Sequence, residues 1–204
     1  MDARTNPQLE LTEPEIVYLE AHDVHCPLHA WQIIEKAIAA KRADEYARRQ
    51  GKLGEAIRHY EEALKLDPNY AEAHFNLAFF LSKEGHSQES LGHYSEAVRI
   101  KPDYADARLN LGNLLIALGR TDDGIAQYAE LARYNPNYEK GQLAWGMQLA
   151  AQRKLDEAII HYNAAVRINP SYRDAYLQLG QVLSLQGKTG DAQAAFEKAR
   201  QLQK

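Results

Sequence analysis

The sequence lacks the features that mark several large classes of protein. It has a single cysteine, Cys26, in 204 residues, so an internal disulfide framework is excluded. Acidic and basic residues nearly balance, at a net charge of −4, and leave no basic field that would gather nucleic acid. Apolar runs such as Leu77–Leu81 are far too short to span a bilayer. We therefore expect neither nucleic-acid binding nor membrane insertion.

The N-terminus also lacks the apolar segment of a secretory signal, because Met1-Asp2-Ala3-Arg4 opens no hydrophobic run. This favours a cytoplasmic location, although a mature secreted or periplasmic form would look the same. The chain contains no G-x-x-x-x-G-K-[ST] phosphate loop, no H-E-x-x-H zinc helix and no G-x-S-x-G nucleophile elbow. We therefore expect a protein that is not an enzyme and uses no cofactor.

What the chain does contain is an internal repeat with a constant interval. Aromatic residues recur at this interval, at Tyr60, Tyr94, Tyr128, Tyr162 and Phe196. Prolines keep the same phase, at Pro68, Pro102, Pro136 and Pro170, and so do small residues, at Ala56, Ser90, Gly124, Ala158 and Ala192. A period of about 34 residues, held at several independent positions, indicates one small structural unit that is copied and stacked.

Each period predicts two helices. In residues 71–104, apolar side chains recur at helical spacing on both sides of an interruption at Gly85. A glycine there suits the left-handed end of the first helix, and Pro102 ends the second. Arg153 is the exception, since it stands where other units have glycine. We predict a helix, a tight turn and an antiparallel helix in each unit, with the recurring aromatic residue buried between them.

This pattern resembles the tetratricopeptide repeat family, whose leucine-glycine pair is present here as Leu111-Gly112 and Leu179-Gly180. The resemblance implies an all-α fold class, an α–α superhelix or solenoid of five tetratricopeptide helix–turn–helix units with a helical N-terminal cap. Residues 1–36 would form the cap. The repeat domain would cover residues 37–204, with units at 37–70, 71–104, 105–138, 139–172 and 173–204.

The resemblance also implies a function. In this family the first helices of successive units line a concave groove that typically receives an extended peptide or a partner helix. The residues placed toward that groove here are Phe75, Asn76, Phe79, Leu109, Asn110, Asn113, Leu143, Met147, Leu177, Gln178 and Gln181. Carboxamides among apolar side chains suit the recognition of a peptide backbone, because they both donate and accept hydrogen bonds. We therefore expect a non-catalytic scaffold for protein–protein interaction, whose partner is another protein.

Two alternatives stay open. One is a structural subunit of a larger or polymeric assembly, which would self-associate through its ends or its convex face. The other is an accessory protein that binds a metal or haem through its histidine-rich head, at His22, His25, Cys26 and His29. The spacing of these four residues matches no zinc signature and lacks the C-x-x-C-H order of haem attachment, so we favour a helix-capping turn without a metal.

Overall fold

The computed structural model describes residues 53–202 of the chain. Within that range the secondary structure consists of nine helices and no strand, which confirms the predicted all-α fold class. The chain divides into two compact units after Ile100, and each unit is described by itself. The predicted N-terminal cap, residues 37–52 of the predicted unit 37–70 and the four candidate metal ligands lie outside the described residues.

The first unit contributes three helices, α1 (Leu53–Leu66), α2 (Ala71–Lys83) and α3 (Ser87–Ile100). Helix α2 packs against both α1 and α3. Tyr60 of α1 and Leu77 of α2 are almost fully buried where the first two helices meet. The ring of Tyr60 stacks on that of Phe80, with 5.9 Å between centroids. This unit therefore has its own aromatic core.

The second unit consists of three helical hairpins that pack in chain order. Their helices are α4 (Ala105–Ala117), α5 (Thr121–Tyr134), α6 (Glu139–Ala151), α7 (Leu155–Ile168), α8 (Arg173–Leu185) and α9 (Thr189–Gln201). Each hairpin packs on the next, α5 against α6 and α7 against α8. The first helices α4, α6 and α8 also contact one another in order, as expected of an α-solenoid.

The turns inside the hairpins share one geometry. Gly119 takes a left-handed φ of 79°, and two backbone bonds close the end of α4: Gly119 N–H donates to Ile116 at 2.9 Å and Arg120 N–H to Leu115 at 2.9 Å. This is the Schellman arrangement of a helix C-terminus. Arg153 has the same left-handed conformation, with φ of 63°, although it carries a side chain. Arg153 therefore departs from the other units in residue type but not in backbone conformation.

The recurring aromatic residues occupy the predicted positions between paired helices. Tyr60, Tyr94, Tyr128 and Tyr162 are buried, which confirms the prediction for four of the five. Phe196 of α9 is only half-buried and packs against Gly180 of α8. Among the described residues α8 is the one helix that packs extensively on α9, so less of the Phe196 ring is covered.

Candidate functional site

Within residues 101–202, the predicted groove residues lie on the first helices of the three hairpins. We call this set the first-helix face; it comprises Leu109, Asn110, Asn113, Leu143, Met147, Leu177, Gln178 and Gln181. Three of them, Asn113, Met147 and Gln181, are exposed at equivalent positions of successive repeats. Asn110 and Gln178 are half-buried one turn earlier. The face therefore presents carboxamides and a thioether in a row.

The leucines of the same face differ in how far they are buried. Leu109 and Leu177 are half-buried, whereas Leu143 is 9% exposed and belongs to the core of α6 to α9. Leu143 therefore contributes mainly to packing. Met147, one turn further along α6, is 43% exposed and is the most exposed large apolar side chain of this helix.

A hydrogen bond from a core residue fixes the side chain of Asn113. The hydroxyl of Tyr128 on α5 donates a hydrogen bond to Oδ1 of Asn113 across 2.5 Å. This bond engages only the Oδ1 atom, so the amide NH₂ of this exposed residue remains able to donate to a ligand. A core tyrosine thus orients one carboxamide of the face.

In the first unit, the three predicted residues lie on α2. Phe75 is half-buried and its ring contacts that of Tyr94, with 5.9 Å between centroids. Phe79 is 40% exposed, meets Phe80 edge-on at 5.5 Å and lies 5.4 Å from the ammonium of Lys83. Asn76, which follows Phe75 in the sequence, is half-buried. This helix presents one exposed aromatic ring next to a cation.

The structure also shows a set of cross-helix polar contacts that the sequence analysis missed. Each joins the two helices of one hairpin, and the contacts occupy equivalent positions in three repeats. The pairs are His74 Nδ1 to His93 Nδ1 at 2.9 Å, Arg108 Nη1 to Gln127 Oε1 at 3.1 Å, and His161 Nδ1 to Gln142 Oε1 at 2.8 Å. The signal was present, because polar residues keep the phase of the repeat at both positions while their identities change.

The histidine pair has a defined proton arrangement. The carbonyl of Pro68 can only accept, so the 3.0 Å contact makes His74 Nε2 a donor. In neutral His74, Nδ1 then accepts from Nδ1–H of His93. Burial lowers the pKa of His93, and the neighbouring His74 lowers it further, while Glu89 and Glu96 oppose the shift. Burial also lowers the pKa of His161, whose ring stacks on Trp145 at 4.1 Å.

Within residues 53–202, no group of three or more histidine, cysteine or acidic residues is placed to hold a metal ion. The same range has no helix with both the length and the apolar character needed to cross a membrane.

Comparison with protein-family models assigns the repeat. A TPR repeat model matches residues 46–85 and 146–187, and two tetratricopeptide repeat models match residues 83–144 and 174–204. Helical hairpins that repeat at a constant interval define a class of α-repeat proteins. These matches are more specific: the chain belongs to the tetratricopeptide repeat family.

Solved structures share the fold. MamA is 24% identical, with a TM-score of 0.70 over 79% of this chain and 94% of that one. PilW, described as a widely conserved type IV pilus biogenesis factor, is 26% identical, with a TM-score of 0.70 over 82% of this chain and 77% of its own. YrrB, described as a TPR protein with an unusual peptide-binding site, is 22% identical, with a TM-score of 0.63 over 81% and 84%. No curated protein is similar enough to this chain to count as a match.

Proposed function

We propose that this protein is a non-catalytic interaction scaffold and that its first-helix face binds an extended segment of another protein. The observation that carries the proposal is the row of side chains repeated on α4, α6 and α8. Asn113, Met147 and Gln181 are exposed at equivalent positions, with half-buried Asn110 and Gln178 beside them. Membership of the tetratricopeptide repeat family and the fold shared with YrrB, a protein described by its peptide-binding site, support an interaction role.

The chemistry of the row favours an extended segment over a partner helix. A helix satisfies its own backbone N–H and C=O groups, so it would leave the carboxamides of the face without partners. An extended chain exposes both groups, and Asn or Gln can donate to one and accept from the other. Each such bond contributes about 1 kcal/mol net, so several must act together with an apolar contact at Met147.

The proposal can be tested with a phage library of random linear peptides selected on the wild-type protein. Selected peptides are synthesised, and their affinities are measured for Met147→Glu and for Ile160→Glu. Ile160 is the matched control, because it is 65% exposed in the same hairpin but lies on the second helix, α7. We expect Met147→Glu to weaken binding by at least about tenfold and Ile160→Glu to leave it unchanged.

The amides are tested separately. Asn110→Ala and Gln178→Ala each remove one carboxamide, and each should weaken the selected peptides by about fivefold, since one hydrogen bond contributes about 1 kcal/mol. Equal affinities for the wild type and for all three variants of the face would exclude this face as the binding site. Self-assembly is the alternative function, and light scattering that shows one monomeric species at every concentration would exclude it.

A further inference from the structure

The middle of the first-helix face carries no charge. Although charged residues make up 25% of the chain, none occurs in residues 141–151 of α6 or in residues 175–185 of α8. In the equivalent residues 107–117 of α4 the one charged residue is Arg108. The second helices α5, α7 and α9 are different, since each has a basic residue in its last turn, where α4, α6 and α8 have none. The lack of charge is therefore a property of the first helices, which carry the face, and not of helices in general.

Arg108 does not supply a charge to the face. Its Nε and Nη2 atoms donate to the carbonyl of Pro102 at 3.2 and 2.8 Å. Its Nη1 atom donates to Gln127 Oε1 on α5 at 3.1 Å, and its guanidinium lies 5.1 Å from the ring of Tyr134. The side chain is 7% exposed, so the cation is held between the helices of its own hairpin.

The charged residues that border these stretches have mixed signs. Asp106, Lys140 and Asp174 precede the three stretches at equivalent positions. Asp106 already accepts a hydrogen bond from the hydroxyl of Tyr138, across 2.5 Å. The border therefore offers no field of one sign that would attract a charged ligand, and the polar groups within the face are neutral amides.

A ligand charge placed on this face would lose water and gain no counter-ion, which is unfavourable. We propose that the bound segment is an uncharged stretch of extended polypeptide with apolar side chains, one of which packs on Met147. This inference rests on the proposed function, because it specifies the ligand of the same face. Its affinity is set by amide hydrogen bonds and apolar contact, and so is independent of salt concentration.

A different observation adds an anchoring point for the same segment. The hydroxyl of Tyr162 is buried and has no hydrogen-bond partner among the described residues. Its ring lies against Gly146 as that of Tyr128 lies against Gly112: a Cβ built on either glycine would be 2.6 Å from Cε1 of the tyrosine. The residue after Gly112 is Asn113, which accepts from Tyr128. The residue after Gly146 is Met147, whose thioether is a weak acceptor.

Met147, an exposed and flexible side chain, stands where the preceding hairpin has Asn113. We infer that the Tyr162 hydroxyl lies beside Met147 and that a backbone carbonyl of the bound segment accepts a hydrogen bond from it when the methionine side chain turns aside. Tyr162 therefore fixes the position of the segment on α6. In the neighbouring hairpin the same donor is already engaged by Asn113.

Three pools of synthetic peptides test the charge inference. The pools have equal length and are uncharged and apolar, acidic or basic; their affinities are measured by fluorescence anisotropy at low, physiological and high sodium chloride. We expect the uncharged pool to bind best, with the same Kd at every salt concentration. Tightest binding by a charged pool that weakens with salt and is lost in Met147→Glu would overturn the charge inference and leave the proposed function standing. Binding that Met147→Glu does not affect would refute the proposed function itself.

The role of Tyr162 is tested by Tyr162→Phe with the best uncharged peptide. Loss of one hydrogen bond should weaken affinity about fivefold, while the melting temperature of the free protein does not fall. Tyr134→Phe is the control for loss of a phenolic hydroxyl, because this exposed tyrosine ends the second helix α5 and lies outside the first-helix face; it should leave affinity within about twofold of the wild type. Unchanged affinity in Tyr162→Phe would overturn the anchoring role.

Discussion

The hydroxyl of Tyr128 donates to Oδ1 of Asn113 across 2.5 Å and so links a core residue of α5 to an exposed residue of α4. Tyr162, at the equivalent position in the next hairpin, has no such partner among the described residues. Burial raises the pKa of both tyrosines to about 12, so both hydroxyls keep their proton at neutral pH and remain donors. The two hairpins therefore differ by one internal hydrogen bond.

This difference predicts opposite effects of the same substitution. Tyr128→Phe should lower the free energy of unfolding by about 1 kcal/mol, because it removes a satisfied hydrogen bond. Tyr162→Phe should leave the free energy of unfolding unchanged or raise it by up to about 1 kcal/mol, since it removes a buried polar atom without a partner. Urea denaturation followed by circular dichroism measures both. Equal losses in the two variants would show that Tyr162 also has an internal acceptor.

A complementary change is Met147→Asn, which places the acceptor of the third repeat into the fourth. The introduced carboxamide would then accept from Tyr162 as Asn113 accepts from Tyr128, and the free energy of unfolding should rise by about 1 kcal/mol. The same urea titration measures it. Met147→Ala is the control, because it removes the thioether without adding an acceptor, and any gain that it shares with Met147→Asn would not be due to the hydrogen bond.

The sequence was sufficient to predict the scaffold because burial and turn geometry impose the same residue types in every copy. The shared repeat phase of Tyr94, Tyr128 and Tyr162 predicted which side chains lie between paired helices, and all three are buried. Glycine at residues 85 and 119 predicted the left-handed turns. Each of these positions is under a local constraint that one sequence can reveal.

The polar contacts within hairpins were not predicted, because their residue types differ from copy to copy. His74, Arg108 and Gln142 share a position but not a chemistry, and each is satisfied by a different partner on the following helix. Whether Asn113 would be engaged by Tyr128 depended on a distance between two helices. The residues that bind a partner are still less constrained by the fold, so their assignment to the first-helix face stays a prediction.

The close contact between α6 and α7 at Gly146 leads to a further prediction. A Cβ there would lie 2.6 and 2.8 Å from two ring carbons of Tyr162, and the buried ring has little room to move. Gly146→Ala should therefore lower the free energy of unfolding by about 1–3 kcal/mol through overpacking. Gly92→Ala is the control, since nothing lies within 4 Å of its added Cβ on α3; it should raise stability by about 0.5–1 kcal/mol. A loss in both variants would argue against overpacking at Gly146.

The left-handed conformation of Arg153 predicts a stabilising substitution. This conformation costs a residue with a side chain about 1–2 kcal/mol, whereas glycine adopts it freely. Part of that gain is offset by the greater freedom of glycine in the unfolded chain, so Arg153→Gly should raise the free energy of unfolding by about 1 kcal/mol. Gly119→Ala makes the reverse change at the equivalent turn and should lower it by a similar amount. Thermal and urea unfolding of the two variants measure both signs, and a loss in Arg153→Gly would contradict the strain.

The histidine pair predicts that stability decreases in mild acid. The pKa of His93 is lowered in the folded protein, chiefly by burial and then by His74, so the unfolded chain binds a proton more readily. The contribution of neutral His93 to the free energy of unfolding is therefore fully present above the unfolded pKa of about 6.5. It is lost as the pH falls through that value toward the folded pKa. The lowered pKa of His161 acts in the same direction. Urea midpoints measured from about pH 8 to about pH 5 should decrease toward acid.

The substitution His93→Gln tests how much of the acid sensitivity comes from the histidine pair. Glutamine is the residue at the equivalent position 127, and its amide can donate to His74 Nδ1 as the imidazole of His93 does. The variant should keep its stability at neutral pH and lose less of it in acid than the wild type, because the burial of a titratable ring has been removed. His86→Gln, which removes an exposed histidine before α3, controls for the loss of a histidine as such. If His93→Gln and the wild type have parallel pH profiles, the acid sensitivity does not come from the His74–His93 contact.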